Sequence, residues 1–162
     1  PPVLILDEPT DGLDPNQKHE VRELIKQMSE ERTILISTHI LEEVEAVCTR
    51  ALIISKGRLV GYGTPDELLS QSMYRNAVTL SVSGISLDKL LEELNRIESV
   101  FSVEHVANKG EEAVTVRVFP KDRQSISTEL ERFLKSKKMS IEQFFVERGR
   151  LDEVFRKLTL GN

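Results

Sequence analysis

The 162-residue sequence predicts an α/β domain built on a parallel sheet, followed by a smaller α+β domain. Over residues 1–72, short and almost wholly apolar runs alternate with segments of helical periodicity, which is typical of parallel sheets flanked by helices. Between residues 77 and 162 the strand-like segments instead alternate apolar and polar residues, as antiparallel strands with one buried face do. The polar stretch SQSMYRN at 70–76 separates the two patterns, so we predict domains at 1–72 and 77–162.

Three apolar runs in the first domain predict strands of the parallel sheet. They are Val3–Leu6, Thr33–Ser37 and Ala51–Ile54. Because their central residues do not alternate with polar ones, we expect all three strands to be buried on both faces. Lys56-Gly57 follows the third run and predicts a tight turn into a further strand.

The helices of the first domain are marked by their first residues. Asp14 precedes Pro15, and Gln17 lies three residues after Asp14, so the sequence supplies an N-cap, a proline at the first helical position and a capping-box partner. Thr38 can cap the helix that follows the second strand. Residues 64–67 (TPDE) repeat the capping-box pattern before a short helix.

The second domain shows the element order β-α-β-β-α-β. Period-two alternation marks the first and third strands, and shorter apolar patterns near 101–103 and 141–146 mark the other two. The apolar faces of the two helices are carried by Leu87, Leu90, Leu91 and Leu94, and by Ile126, Leu130, Phe133 and Leu134. This order is that of the ferredoxin-like motif, so we expect residues 77–147 to form an antiparallel sheet with two helices on one face. We place the turn between the middle strands at Asn108-Lys109-Gly110, and a closing amphipathic helix from Leu151 to Leu158.

The composition argues against several classes of protein. Hydrophobic residues make up 39% and charged residues 30% of the chain, a balance that supports a buried core rather than disorder. The net charge of −5 gives no general attraction to nucleic acid or anionic lipid. No apolar run approaches the roughly 20 residues of a membrane-spanning helix, so we expect any link to a membrane to come through a partner. The single Cys48 cannot form an internal disulfide, which fits a reducing cytoplasm.

Two adjacent carboxylates, Asp7 and Glu8, follow the first strand directly. Open α/β sheets place ligands at the carboxyl ends of their strands. One carboxylate there can hold Mg²⁺, usually through water, while the other orients or deprotonates an attacking water. Solvated acids in a strand-end loop are the alternative interpretation of the same pair.

The neighbouring residues resemble those of a known family. The string LILDEPTDGLDP at 4–15 resembles the Walker B segment and D-loop of ABC-type ATPases. Residues 37–39 (STH), which follow a predicted strand and precede LEEV, resemble the switch histidine of the same family. The stretch SKGRLVGYGTP at 55–65 is similar to the strand pair that follows in transporter members. The resemblance covers roughly residues 1–70 and implies part of a P-loop NTPase sheet.

The resemblance also implies roles for four side chains. Asp7 would help to coordinate Mg²⁺ through water, and Glu8 would polarise the attacking water. His39 would contact the γ-phosphate of ATP. Asp14 would belong to a loop that communicates between two subunits, although its sequence context also fits a helix N-cap, and both roles can hold together.

The phosphate-binding motif G-x-x-x-x-G-K-[ST] does not occur in these 162 residues, and neither does the Ser-Gly-Gly-Gln type of signature of the family. We therefore expect a piece of a longer ATPase subunit, comprising the C-terminal half of its nucleotide-binding domain and an accessory domain. ATP and Mg²⁺ would be bound by the complete protein. We expect neither to bind tightly to this chain alone, and we expect the chain alone to be inactive.

The resemblance implies partners as well. In the complete form, two ATPase subunits, most simply a homodimer, would bind ATP between them and drive a transmembrane permease subunit from the inner face of the cell membrane. Nucleic acid is not an expected partner. Two alternatives stay open: a non-enzymatic regulatory or dimerisation module, and a piece of a soluble ABC-type ATPase.

Overall fold

The computed structural model describes residues 1–109 and 113–161. The chain divides into two compact units. The first comprises residues 1–68 together with the C-terminal residues from 155 onward, and the second comprises residues 69–154. Residues 70–76 group with the second unit, and the end of the closing helix groups with the first. The domains at 1–72 and 77–162 stay a prediction.

The first unit contains a two-stranded parallel sheet. Strand β1 (Val3–Asp7) pairs with β2 (Thr33–Ser37) in direct register, from Val3 opposite Thr33 to Asp7 opposite Ser37. The crossover between them is helix α1 (Pro15–Ser29), and β2 leads into the short helix α2 (Leu41–Val47). The parallel pairing brings the carboxyl ends of both strands to the same edge.

A separate antiparallel hairpin follows in the same unit. It pairs β3 (Ala51–Ser55) with β4 (Arg58–Gly63). The turn residues Lys56 and Gly57 have φ of 50° and 73°, as a two-residue hairpin turn with two left-handed positions requires. The hairpin predicted at this position is therefore confirmed, and helix α3 (Pro65–Leu69) follows it.

The prediction that the first three strands are buried on both faces is wrong. In β1 and β2 every second residue is exposed, and Ile5 retains 71% of its exposable surface. The exposed apolar residues of this sheet are Val3, Ile5 and Leu35, which we call the β1–β2 outer face. The hairpin likewise exposes two cross-strand pairs, Leu52 with Tyr62 and Ile54 with Leu59. The physical reason is that a two-stranded sheet has too few neighbouring elements in the described chain to cover both of its faces.

The second unit is built on a four-stranded antiparallel sheet with the spatial order β6-β7-β5-β8. Its elements follow the chain order β-α-β-β-α-β. They are β5 (Val78–Ser83), α4 (Leu87–Asn95), β6 (Val100–Lys109), β7 (Ala113–Pro120), α5 (Ser127–Ser136) and β8 (Ser140–Val146). The turn predicted at Asn108-Lys109-Gly110 extends outside the described residues. A last helix, α6 (Leu151–Leu160), closes the chain.

One hydrophobic core holds the second unit together. Alternate residues of β5 and β7 point into it, as the period-two pattern predicts, and the apolar faces of α4 and α5 meet them there. Because both helices contribute to the same cluster, they cover the same face of the sheet. The fully buried side chains of this cluster are Val78, Leu80, Val82, Leu90, Leu94, Val116, Val118, Leu130 and Leu134.

The joining segment, residues 70–77, is bonded into the second unit. The backbone N–H groups from Ser72 to Ala77 all donate hydrogen bonds, to backbone or side-chain oxygens of residues 69–153. The buried Ser72 hydroxyl also accepts from the backbone N–H of Arg150 at 3.0 Å. The Arg150 guanidinium stacks 3.7 Å from the centre of the Tyr74 ring and is paired with the Glu147 carboxylate. In the described ranges, no helix combines the length and the apolar character needed to cross a membrane.

Candidate functional site

The parallel pairing of β1 and β2 sets the geometry of the predicted site. Asp7 lies opposite Ser37 at the last paired position, and the Ser37 hydroxyl donates a hydrogen bond to the Asp7 carboxylate. The backbone N–H of Glu8 donates to the Ser37 carbonyl at 2.8 Å. These two bonds fix the chain just past each strand, which is where the sequence places Glu8 and His39.

Glu8 and His39 contact each other directly. The Nδ1 atom of His39 lies 3.0 Å from Oε1 of Glu8. Glu8 has a φ of 45°, a left-handed conformation that is uncommon for a residue with a side chain and that concentrates at functional sites. The His39 side chain remains 71% exposed and that of Glu8 34%, so solvent and ligands reach the pair.

The surroundings of His39 favour its protonated form. The hydrogen bond that His39 donates to Glu8 is the largest cause that raises the pKa of His39 above its ordinary value, followed by the negative charge of Glu8. The charges of Asp11 and Glu43 raise the pKa further. A protonated histidine has two N–H donors. In His39 the Nδ1–H faces Glu8, and the Nε2–H is the donor that could bind an anion.

The two carboxylate oxygens of Glu8 differ in their contacts. Oε2 is buried and has no hydrogen-bond partner among the described residues. A buried carboxylate oxygen without a partner is unfavourable, and it is satisfied when a donor such as water binds. Glu8 therefore holds His39 with Oε1, while Oε2 keeps unused capacity to accept a hydrogen bond.

Asp14 is the N-cap of α1. Its Oδ1 accepts from the backbone N–H groups of Asn16 and Gln17, each at 2.9 Å, and the Gln17 side chain accepts from the Asp14 N–H at 3.2 Å. The predicted capping box is thus confirmed. The role in communication between subunits stays a prediction.

Asp7 is the side chain to which the sequence assigns a role in binding Mg²⁺. Within the described ranges, no three His, Cys, Asp or Glu side chains are grouped so that they could hold a metal ion. Mg²⁺ usually takes only one or two protein carboxylates and completes its shell with waters and substrate phosphates. Asp7 at the open strand edge fits that limited contribution.

Comparison with known proteins finds one family model and several relatives that are similar to this chain. The model for the AAA domain, described as "putative AbiEii toxin, Type IV TA system", matches residues 1–45. Nod factor export ATP-binding protein I of Ralstonia nicotianae is 31% identical over 98% of this chain and 47% of its own length. Daunorubicin resistance ATP-binding protein DrrA2 of Streptomyces coeruleorubidus is 32% identical over 98% of this chain and 48% of its own length. Linearmycin resistance ATP-binding protein LnrL of Bacillus subtilis is 39% identical over 53% of this chain and 28% of its own length.

The chain is a homologue of ABC transporter ATP-binding proteins. The family resemblance drawn from the first 70 residues is therefore confirmed. The chain spans about half the length, or less, of the ABC transporter ATP-binding proteins that it matches.

The structure adds one residue that the resemblance to ABC transporter ATP-binding proteins did not bring out. Glu43 on α2 is 1% exposed, and neither of its carboxylate oxygens has a hydrogen-bond partner among the described residues. In the sequence it looks like one more acid in the run LEEVE. Its spacing of four residues from Val47 puts both on one face of α2, which is the signal that could have revealed its burial.

Proposed function

We propose that this chain carries the water-activating and phosphate-sensing residues of the ATP-hydrolysing subunit of an ABC transporter. The observation that carries the proposal is the contact between Glu8 and His39 at the shared carboxyl edge of two parallel strands. Homology to ATP-binding proteins supports ATP as the substrate. The pair combines an acceptor for a water proton with a cationic donor for a phosphate oxygen, which are the two functions that phosphoryl transfer to water needs beyond phosphate binding.

Each side chain has a separate task in this proposal. The free Oε2 of Glu8 orients the attacking water and receives its proton. His39, held through Nδ1, offers its Nε2–H to the γ-phosphate and stabilises the negative charge that develops there. Asp7 would hold Mg²⁺ through water, and the ion, when bound, would neutralise phosphate charge. Asp14 fixes the start of α1 and, through it, the loop that would face a second subunit.

The second unit is proposed to be a ferredoxin-like accessory domain. Its antiparallel strand order and its two helices in one core support this classification. The proposed domains are 1–72 for the ATPase half and 77–162 for the accessory domain. The sequence of this domain contains no group of catalytic residues. Its proposed role, in regulation or in contact between subunits, is therefore inferred from the fold alone.

The proposed partners follow from the family. The complete protein would pair with a second ATPase subunit and with a transmembrane permease at the inner face of the cell membrane. The relatives are named for Nod factor export and for daunorubicin and linearmycin resistance, so an export role is the version we propose.

A chimera tests the proposed chemistry. Residues 1–162 would replace the equivalent part of the Ralstonia nicotianae relative, and we expect the product to hydrolyse Mg-ATP. Glu8→Gln in this chimera should keep ATP binding and lower turnover by roughly 10²–10⁴-fold, because an amide cannot accept the water proton. Glu20→Gln, an exposed acid on α1, is the matched control and should leave turnover unchanged. Normal turnover in Glu8→Gln would contradict the role given to Glu8.

A further inference from the structure

The second unit contains a cavity that the proposed ATPase chemistry does not use. It has a volume of about 260 Å³ and lies between the turn after β5, helix α4 and the chain that runs from α5 into β8. Its lining consists of the turn residues 84–86 together with Lys89, Glu93, Lys137 and Met139. Several of these residues are exposed, so the cavity is open to solvent.

The size and the apolar part of the cavity suit a small organic molecule. A cavity of about 150 Å³ lined by apolar side chains accommodates benzene, so this one has room for roughly eight to ten non-hydrogen atoms. Ile85 and Met139 are half-buried, pack against the hydrophobic core of the unit and give the cavity an apolar surface. Small-molecule sites in proteins combine such a surface with a few polar groups that fix the orientation of the ligand.

The charged groups of the cavity favour an anion. Lys89 and Lys137 contribute two positive charges, and Glu93 contributes one negative charge, which leaves an excess of one positive charge. This local excess contrasts with the net charge of −5 of the whole chain. A negatively charged ligand therefore meets a favourable charge at this place on an otherwise acidic protein.

Glu93 is already paired and holds one of the two lysines in place. Its Oε2 lies 2.7 Å from Nζ of Lys137. The hydrogen bond from Lys137 is the largest cause that holds the pKa of Glu93 below its ordinary value, so Glu93 is ionised at neutral pH. An ammonium group has three N–H donors, so Lys137 can bind Glu93 and still donate to a ligand. In the part of the chain that the structure describes, the ammonium group of Lys89 forms no ion pair.

We propose that this cavity binds a small monocarboxylate with a short hydrocarbon chain. The carboxylate of the ligand accepts hydrogen bonds from Lys89 and Lys137, which are stronger than bonds between neutral groups. The hydrocarbon chain packs on Ile85 and Met139 and leaves water. Because Glu93 is occupied, the cavity offers no free carboxylate to an additional ammonium group, so an amino acid of the same size fits less well.

Binding of 4-methylpentanoate to the 162-residue chain tests the proposal. This acid carries a carboxylate on a branched hydrocarbon chain of the size that the cavity admits. The amide ¹H–¹⁵N signals of residues 84–86 are followed by NMR at constant pH in the parent chain, in Lys89→Gln and in Lys121→Gln. Lys121 is the matched control, because it is an exposed lysine of the same unit that follows β7 at the opposite end of the sheet from Ser83.

Two further ligands test the charge preference. 4-Methylpentanamide has the same shape without the negative charge, and leucine adds an ammonium group to the same carbon skeleton. Both should bind more weakly than 4-methylpentanoate, because the amide lacks the charge that the lysines attract and the ammonium group of leucine is repelled by them.

The expected results are specific to the cavity. 4-Methylpentanoate should shift the signals of residues 84–86 with a Kd of about 1 mM or lower, as a ligand of this size can reach. Lys89→Gln should raise the Kd roughly fivefold or more while leaving the rest of the spectrum unchanged, since Lys89 is exposed, and Lys121→Gln should not change the Kd.

Three outcomes would overturn the proposal. They are the absence of a saturable shift at millimolar ligand, an unchanged Kd in Lys89→Gln, and equal or tighter binding of the amide or of leucine. The titration needs no nucleotide, so its outcome is independent of the hydrolysis test.

Discussion

Replacing Asp14 separates its two proposed roles. In Asp14→Ala the N–H groups of Asn16 and Gln17 each lose an acceptor at 2.9 Å, and the Gln17 side chain loses its reciprocal geometry. These groups are exposed, so water replaces part of what is lost, and we expect the free energy of unfolding of the first unit to fall by about 1 kcal/mol. For a unit of this size that corresponds to a fall in Tm of roughly 4–8 °C.

The assay must report on the first unit alone, because two units can unfold separately. Hydrogen exchange at the first amides of α1 meets this need, together with thermal unfolding. Asp14→Asn is the matched control: asparagine caps as well as aspartate, so the fold should keep its stability while any role of the negative charge between subunits is lost. Equal destabilisation by Ala and Asn, or none by Ala, would refute the capping argument.

Three further predictions concern stability, thiol chemistry and nucleotide binding. Leu90→Ala, in the core of the second unit, should lower its free energy of unfolding by about 2–5 kcal/mol in denaturant titrations; a loss below about 1 kcal/mol would contradict the packing described. Burial, and to a lesser extent the charge of Glu43, raises the pKa of the Cys48 thiol. Because the thiolate is the reactive form, alkylation of Cys48 at neutral pH should be slower in the folded chain than in the unfolded chain. Equal rates would show that the thiol is not shielded. The chain alone should bind Mg-ATP very weakly in calorimetry because its sequence offers no phosphate loop to offset the repulsion from Asp7 and Glu8, and a low micromolar Kd, about −8 kcal/mol, would contradict this.

Local sequence signals predicted local structure well. The capping box at Asp14 and the hairpin turn at Lys56-Gly57 appear as predicted, because each depends on hydrogen bonds and dihedral preferences within a few residues. The position of Glu8 beside His39 was also accessible from sequence. Two apolar strands joined by a helix pair in parallel and end at one edge, so the residues after them meet.

Burial was harder to predict, because it depends on what covers a residue rather than on the residue itself. The apolar runs of β1 and β2 are those of fully covered strands, yet the β1–β2 outer face is exposed. Glu43 presents the opposite case, since an acid in a run of acids is ordinarily solvated and this one is buried. The polar joining segment also looked like a linker, whereas its hydrogen bonds attach it to the second unit.

The attachment of the joining segment to the second unit affects its susceptibility to proteolysis. Proteases cleave segments that can leave the structure and adopt an extended conformation in the enzyme's cleft, and exposed polar connections are their usual targets. The joining segment has the composition of such a target, but its consecutive backbone N–H groups from Ser72 to Ala77 would all have to break their hydrogen bonds first. Cleavage there would require opening of the second unit around Tyr74 and Arg150, so we expect the most linker-like stretch of the sequence to resist proteolysis.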